Sequence, residues 1–377
     1  MTRISTLSAL IVAGSLAPAF AQDDQTTEAA TAAFASAIAD YDIPGLIVGV
    51  THRGQHSFYP TGMASREDGR PVTPDTLFEL GSISKIFNVT LAALAEEWGD
   101  LSLDAPVATY LPALQGSPAG ALTLMDLATH HSGGLPLQVP EDVADVDQLV
   151  DWLRTWQPPE PGARSYSNIS IGLLGHVTAE AMGTSYADVV ETDLLPALGL
   201  TNTWIDVPPD AMGTYAFGYD RETNSPIRVT PGVLDDEAYG IKSSARDMLK
   251  LLDAELGGGD ASSEVRKAIT RTQDGQFQTR LFTQAMIWES YGWPVDADRL
   301  VEGNGYDFIL KPQLMEAAGE PTGDMILNKT GSTNGFGAYA VMVPSEDLGI
   351  VVLANRNYPN EARVRATHDL INLILAE

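Results

Sequence analysis

A serine hydroxyl is a weak nucleophile until a neighbouring base takes its proton, and a lysine held on the same face of a helix is one arrangement that supplies the base. The stretch Phe78-Glu79-Leu80-Gly81-Ser82-Ile83-Ser84-Lys85 offers that pair. The apolar residues that follow predict a buried helix, with Ser82 in its first turn and Lys85 three residues on. Backbone N–H groups and the helix dipole at that end favour an anion. A serine cap followed by a surface lysine would look the same locally, and S-x-x-K recurs by chance in long chains. Lysine is scarce here, however, and of six only Lys85 has a serine three positions before it.

Two further segments carry groups that could join this pair. Tyr166-Ser167-Asn168 stands just ahead of an apolar run starting near Ile169. Asn168 reads either as a helix cap or as a ligand contact, and Tyr166 either as a half-buried ring or as a base. Two nearby ammonium groups would favour the phenolate and lower the phenol pKa from about 10 toward working pH. Lys329-Thr330-Gly331, followed by Ser332, reads as a strand along a cleft. Such a strand could set the Ser332 N–H opposite the Ser82 N–H, so that both clamp the oxygen of a tetrahedral intermediate. Glycines at 331, 335 and 337 leave its surface open to a ligand. The order S-x-x-K, Y-S-N, K-T-G is far more specific than any one of the three.

The elements that must position these groups come from both ends of the chain. Residues 26–39 predict an alanine-rich helix, and 46–51 with 56–59 a hairpin turning at Arg53-Gly54. Residues 337–343 and 348–354 predict a second strand pair across Pro344-Ser345-Glu346-Asp347. A last helix is expected from Asn360, with Leu370, Leu373 and Ile374 at core spacing. Between these ends lie mainly helical segments. The pattern predicts an α/β (α+β) fold: an antiparallel sheet flanked by helices and built from both ends, with an inserted all-helical lobe and a site in the cleft between. The expected boundaries are 22–80 with 285–377 for the α/β lobe and 81–284 for the helical one.

Residues 1–21 read as an export signal: Arg3, an apolar run from Leu7 to Leu16, and Ala19-Phe20-Ala21 as the cleavage site, giving a mature chain from Gln22. No other run approaches the roughly 20 apolar residues of a membrane span. The chain has no cysteine, so packing alone must hold it in an oxidising compartment. Its net charge is -28, which disfavours nucleic acid as a partner. Six lysines against sixteen arginines, with that acidic excess, point to adaptation to high salt, where self-repulsion is screened. The histidines 52, 56, 130, 131, 176 and 368 form no H-E-x-x-H, and no serine sits in G-x-S-x-G. Neither a metal nor a cofactor is expected.

In motif order and approximate separation the chain resembles the class C serine β-lactamases, within the wider penicillin-recognising hydrolases. The likeness extends to Gly133-Gly134-Leu135-Pro136-Leu137-Gln138, to the segment from Leu234 to Ser244, and to the one from Leu353 to Asn360. It implies a periplasmic monomer that hydrolyses small-molecule β-lactams. Ser82 would be the acylated nucleophile, with Lys85 and Tyr166 sharing the proton traffic and Lys329 setting the field around Tyr166. The oxyanion hole would be Ser82 N–H with Ser332 N–H. Asn168 and Gln138 would bind the drug's acylamide side chain, with Tyr239 beside it. Thr330 and Asn360 would receive the substrate carboxylate, with Gly331 and Asn357 as further substrate-binding residues. Asn360 would also cap the last helix, and Arg363 would offset Glu361, which stands where the family pattern has proline. The strip 300–325 resembles the family weakly. The resemblance leaves a D-alanyl carboxypeptidase or esterase on the same scaffold as a rival, and a non-hydrolytic β-lactam-binding protein as a more distant one.

Overall fold

The computed structural model describes residues 19–319 and 322–376. Most of the expected export signal therefore lies outside the described residues. Seven helices and ten strands matter for the site: α1 (Ala19–Asp40), α2 (Ser84–Trp98), α3 (Leu124–Ala128), α4 (Asn168–Met182), α5 (Asp235–Ala238), α6 (Tyr306–Ile309) and α7 (Asn360–Leu375). The strands are β1 (Gly45–His52), β2 (Gln55–Ser65), β3 (Arg70–Pro71), β4 (Phe277–Gln278), β5 (Thr283–Gln284), β6 (Glu289–Gly292), β7 (Glu316–Ala317), β8 (Met325–Ser332), β9 (Gly337–Val343) and β10 (Leu348–Ala354). They form one sheet in the order β7-β4-β5-β6-β8-β9-β10-β1-β2-β3, every pair antiparallel.

The sheet is assembled from the two ends because β1 pairs with β10, Leu46 opposite Ala354 and His52 opposite Leu348. Arg53 and Gly54, at φ 53° and 71°, make the tight turn between β1 and β2. Both faces of the central strands are covered, which is why β9 and β10 read as unbroken apolar runs. Along β9, Ala338, Ala340 and Met342 enter the core that surrounds α2. Tyr339, Val341 and Val343 enter a second core closed by α1 and α7. Each fully buried Val, Leu or Ile contributes about 1.5–3 kcal/mol, so the alternation fixes the register of these strands.

Helix α2 is buried from Ser84 through Ala95. A helix apolar on all sides belongs inside a domain, and its few polar groups must find partners there. Asn88 Nδ2 donates to Ile171 O of α4 at 3.0 Å and to Glu237 O of α5 at 2.9 Å. Ser84 Oγ accepts from Ile241 N at 3.0 Å. The helix that carries Ser82 at its entrance is thus tied to the elements on either side of it.

Helix α1 is longer than expected and extends through the expected cleavage point to Ala19. In α7, Leu370 and Ile374 are buried, but Leu373 is 42% exposed beside an open groove between α1 and α7. Asn360 is the first residue of α7 rather than its cap, since Pro359 occupies that position with extended ψ. Proline fixes φ near the value required there and leaves the Asn360 side chain free for other contacts.

Candidate active site

Gly81, Ser82 and Ile83 form one turn of 3-10 helix leading into α2. Lys85, fully buried, donates from Nζ to Ser82 Oγ at 3.0 Å and to Ala238 O at 2.7 Å. The turn rests directly on β8. Gly81 has φ 54°, and a β-carbon there would lie 2.5 Å from Ser332 N; one on Gly331 would lie 2.0 Å from Leu80 O. Both positions therefore require glycine, because what stands in the way is backbone. Three residues before Ser82, the buried Glu79 accepts from Thr333 Oγ1 at 2.5 Å and from Tyr215 OH at 2.7 Å, joining the end of β8 to the same turn.

Strand β8 changes character along its length. Met325 and Ile326 pair with β6, and Leu327 and Asn328 pair on both sides, with β6 and β9. From Lys329 to Ser332 the pairing runs only to β9, so the other edge of the strand faces the cleft. Lys329 is 1% exposed, with Nζ 5.1 Å from the centroid of the Tyr166 ring; Lys85 Nζ stands 5.4 Å from the same centroid. Ser82 and Lys85 both stand close enough to Tyr166 to act on its ionisation. Three separate stretches of chain thus bring a hydroxyl, a phenol and two ammonium groups together.

The electrostatics follow from that packing. Burial works against ionising Tyr166, but Lys329 and then Lys85, with the neighbouring Ser82 hydroxyl, outweigh it and hold the phenol at about 8. Burial depresses Lys85 to about 8 as well, against the opposing pull of Tyr166. Two groups this close titrate as a pair. Next to them, Arg164 and Glu289, both essentially unexposed, form an ion pair at 3.1 Å, and Arg164 Nε donates to Gln284 Oε1 at 2.7 Å. The Arg164 guanidinium lies 5.6 Å from the Tyr166 centroid.

Gln138, Asn168, Thr330, Gly331, Ser332 and Asn360 line the same cleft, about 180 Å³, as Ser82, Tyr166 and Lys329. Asn168 Nδ2 donates to Gln138 Oε1 at 3.0 Å. It is not the cap of α4: Ser167 is, its side chain accepting from Ser170 N, so Asn168 is available to the cleft. Asn360 Nδ2 donates to Asn304 O at 2.9 Å, which ties it to the segment before α6. Tyr239 and Asn357 do not line the cleft. Tyr239 follows α5 two residues from Glu237, and Asn357 accepts from Arg363 Nη2 at 3.3 Å. A larger open groove of about 720 Å³ between α1 and α7 has Ser36 in its wall but no lysine or histidine to activate it, so size does not identify the site.

Several contributors were not legible beforehand. Tyr306, Ile309 and Leu310, at α6 and its end, form the wall facing β8. Arg363 does not offset Glu361, which pairs instead with Arg365 at 3.0 Å. Arg363 is fully buried and donates to Gly331 O at 2.7 Å, Ala338 O at 3.0 Å, Ser332 Oγ at 3.2 Å and Tyr358 O. An arginine in a helix reads as a surface residue. Only the loss of a β8 carbonyl partner beyond Asn328 could have signalled it.

Residues 29–373 match the family model described as Beta-lactamase. A β-lactamase of Pseudomonas fluorescens is 41% identical over 336 residues, covering 88% of this chain and 94% of that protein. The crystal structure of a class C β-lactamase from Rhodobacter sphaeroides superposes with a TM-score of 0.92 at 75% identity, covering 92% of this chain and 99% of that one. A structure titled β-lactamase/D-alanine carboxypeptidase from Pseudomonas syringae follows at TM-score 0.89 and 40% identity, covering 93% and 99%. With Ser82, Lys85, Tyr166 and Lys329 gathered in one cleft and these likenesses spanning almost the whole chain, the protein belongs to the beta-lactamase family and, within it, to the class C serine enzymes.

Proposed function

We propose that the chain hydrolyses β-lactams through an acyl-enzyme on Ser82. The observation that carries this is the 3.0 Å contact of Lys85 Nζ with Ser82 Oγ beneath a phenol flanked by two ammonium groups. Ser82 Oγ adds to the lactam carbonyl while its proton passes to the Lys85–Tyr166 pair. The negative oxygen so formed is held by Ser82 N–H and Ser332 N–H, each such donor being worth about 3–4 kcal/mol. The ring C–N bond breaks and its nitrogen takes the proton back from the pair. Water, deprotonated at Tyr166, then opens the ester and returns the proton to Ser82. Gln138 and Asn168 bind the acylamide side of the drug. Thr330 and Gly331 lie along it, and Asn360 stands near the carboxylate, with one hydrogen of its amide already given to Asn304. Tyr239 packs beside that acylamide side chain, and Asn357, held by Arg363 Nη2, is a further substrate contact.

Nitrocefin turnover by the purified protein, with mass spectrometry after benzylpenicillin, tests the reaction. Rapid turnover with a transient adduct on Ser82 is the expected result, and Ser82→Ala should cost about 10⁴-fold or more in kcat. Undiminished kcat in that variant would remove Ser82 as the nucleophile. The name of the Pseudomonas syringae relative favours a second reading, D-alanyl carboxypeptidase activity. A penicillin adduct that persists for hours would decide for it.

The division into lobes of 22–80 with 285–377 and 81–284, a monomeric state, and export to the periplasm by residues 1–21 complete this reading. No described helix is long and apolar enough to cross a membrane. An exported protein whose first residue is not Gln22 would overturn the leader. Steady inactivation between low and molar NaCl would overturn adaptation to salt.

A further inference from the structure

His130 belongs to no metal site and to none of the three motifs, yet it is fully buried against Tyr166, with ring centroids 4.4 Å apart. It follows α3 in left-handed backbone, φ 59°, a conformation uncommon for a residue with a side chain but one that histidine adopts more readily than most. From there it reaches the chain on both sides of Tyr166. Its carbonyl oxygen accepts from Ser165 N at 2.8 Å, and its Nδ1 accepts from Ser167 N at 3.3 Å. We propose that His130 is the positioning residue for Tyr166, gripping the two amides that flank the phenol and filling the space behind its ring.

Accepting from Ser167 requires a ring without a proton on Nδ1, so the neutral tautomer with its proton on Nε2 is the working form. The surroundings enforce that state. The charged groups facing the ring are Arg164 beside Tyr166, Lys85 from α2 and Lys329 from β8, all cationic; with burial first among the causes, they hold the ring well below the ordinary histidine pKa. A second proton would add a positive charge to this group and turn the Nδ1 acceptor into a donor facing another donor. His130 thus fixes the distance of the phenol from the two ammonium groups without titrating itself.

This inference rests on Tyr166 acting as the base, and the experiments separate the two claims. His130→Phe keeps a ring but no acceptor. It should lower kcat about tenfold or more with little change in KM. The acid limb of the pH profile should move toward the ordinary phenol value. His130→Asn carries Oδ1 at the same bond distance from Cα as Nδ1 and belongs to a type that accepts left-handed backbone; it should restore the position of the limb. A limb unmoved in His130→Phe, with loss only in the fraction of active enzyme, would overturn the proposal. Should His130→Phe fail to fold, nitrogen NMR of the wild-type histidine rings decides: a neutral ring protonated on Nε2 supports it, and a ring carrying a proton on Nδ1 at neutral pH overturns it. Full turnover by Tyr166→Phe would sink the base assignment while leaving the tautomer measurement to decide the clamp.

Discussion

The two walls of the cleft are built on opposite principles. On one side, Lys85 and Lys329 are nearly inaccessible, Lys85 donating to Ser82 Oγ and Ala238 O and Lys329 to Thr330 O. On the other, α6 is a single turn whose Tyr306 is 53% exposed, with Leu310 after it 48% exposed. Chemistry needs fixed distances between charges, and fixed distances come from buried groups with every bond committed. Contact with the variable part of a ligand needs only apolar area, and side chains free to move can provide it.

Altering the wall that carries the charges should have the larger effects. Gly331→Ala puts a methyl against Leu80 O, which cannot yield, so β8 must lift from the Ser82 turn. Loss of one oxyanion donor alone predicts a fall in kcat of about 10²–10³; turnover at the wild-type rate would mean that β8 need not touch that turn. Lys329→Ala removes the strongest electrostatic support for the phenolate. Below about 8 the phenol of the pair holds its proton, so activity should decline as pH falls, and in this variant the decline should begin at higher pH, with kcat down about 10²-fold. An unmoved acid limb would take Lys329 out of the electrostatic account. On the facing wall, Tyr306→Ala and Leu310→Ala should raise KM by about tenfold at most, on the scale of 1 kcal/mol of apolar contact, and leave the limb where it was. A shift of the limb by either would erase the distinction between the walls.

What the sequence made legible follows the same line. The bounds of β9 and β10 coincide with the predicted 337–343 and 348–354, because strands covered on both faces need continuous apolar runs and Pro344–Glu346 stops them. Ser82 and Lys85 were readable because three-residue spacing on a helix sets geometry by itself. Their meeting with Tyr166 and Lys329 was not, since no local rule brings distant segments together; there the family likeness supplied what spacing could not. The strip 300–325 resisted reading because its described part from 304 to 319 folds as a one-turn helix and two-residue strands, too short for periodicity to appear. The buried roles of Arg363 and Arg164 could not be read in advance because such arginines are recognisable only from the carbonyls and carboxylates waiting for them. The cap at Ser167 instead of Asn168 was a choice between neighbours of nearly equal capping preference.

The close seating of Gly81 and Gly331 also bears on how such an enzyme can change under selection. Each glycine's missing side chain is filled by main chain of the facing segment, Ser332 for Gly81 and Leu80 for Gly331, so the joint between nucleophile and oxyanion strand has no spare volume in which a mutation could settle. New drug preferences therefore find most room on α6 and just after it, where Tyr306 and Leu310 line the cleft while half exposed and substitutions are nearly free of folding cost.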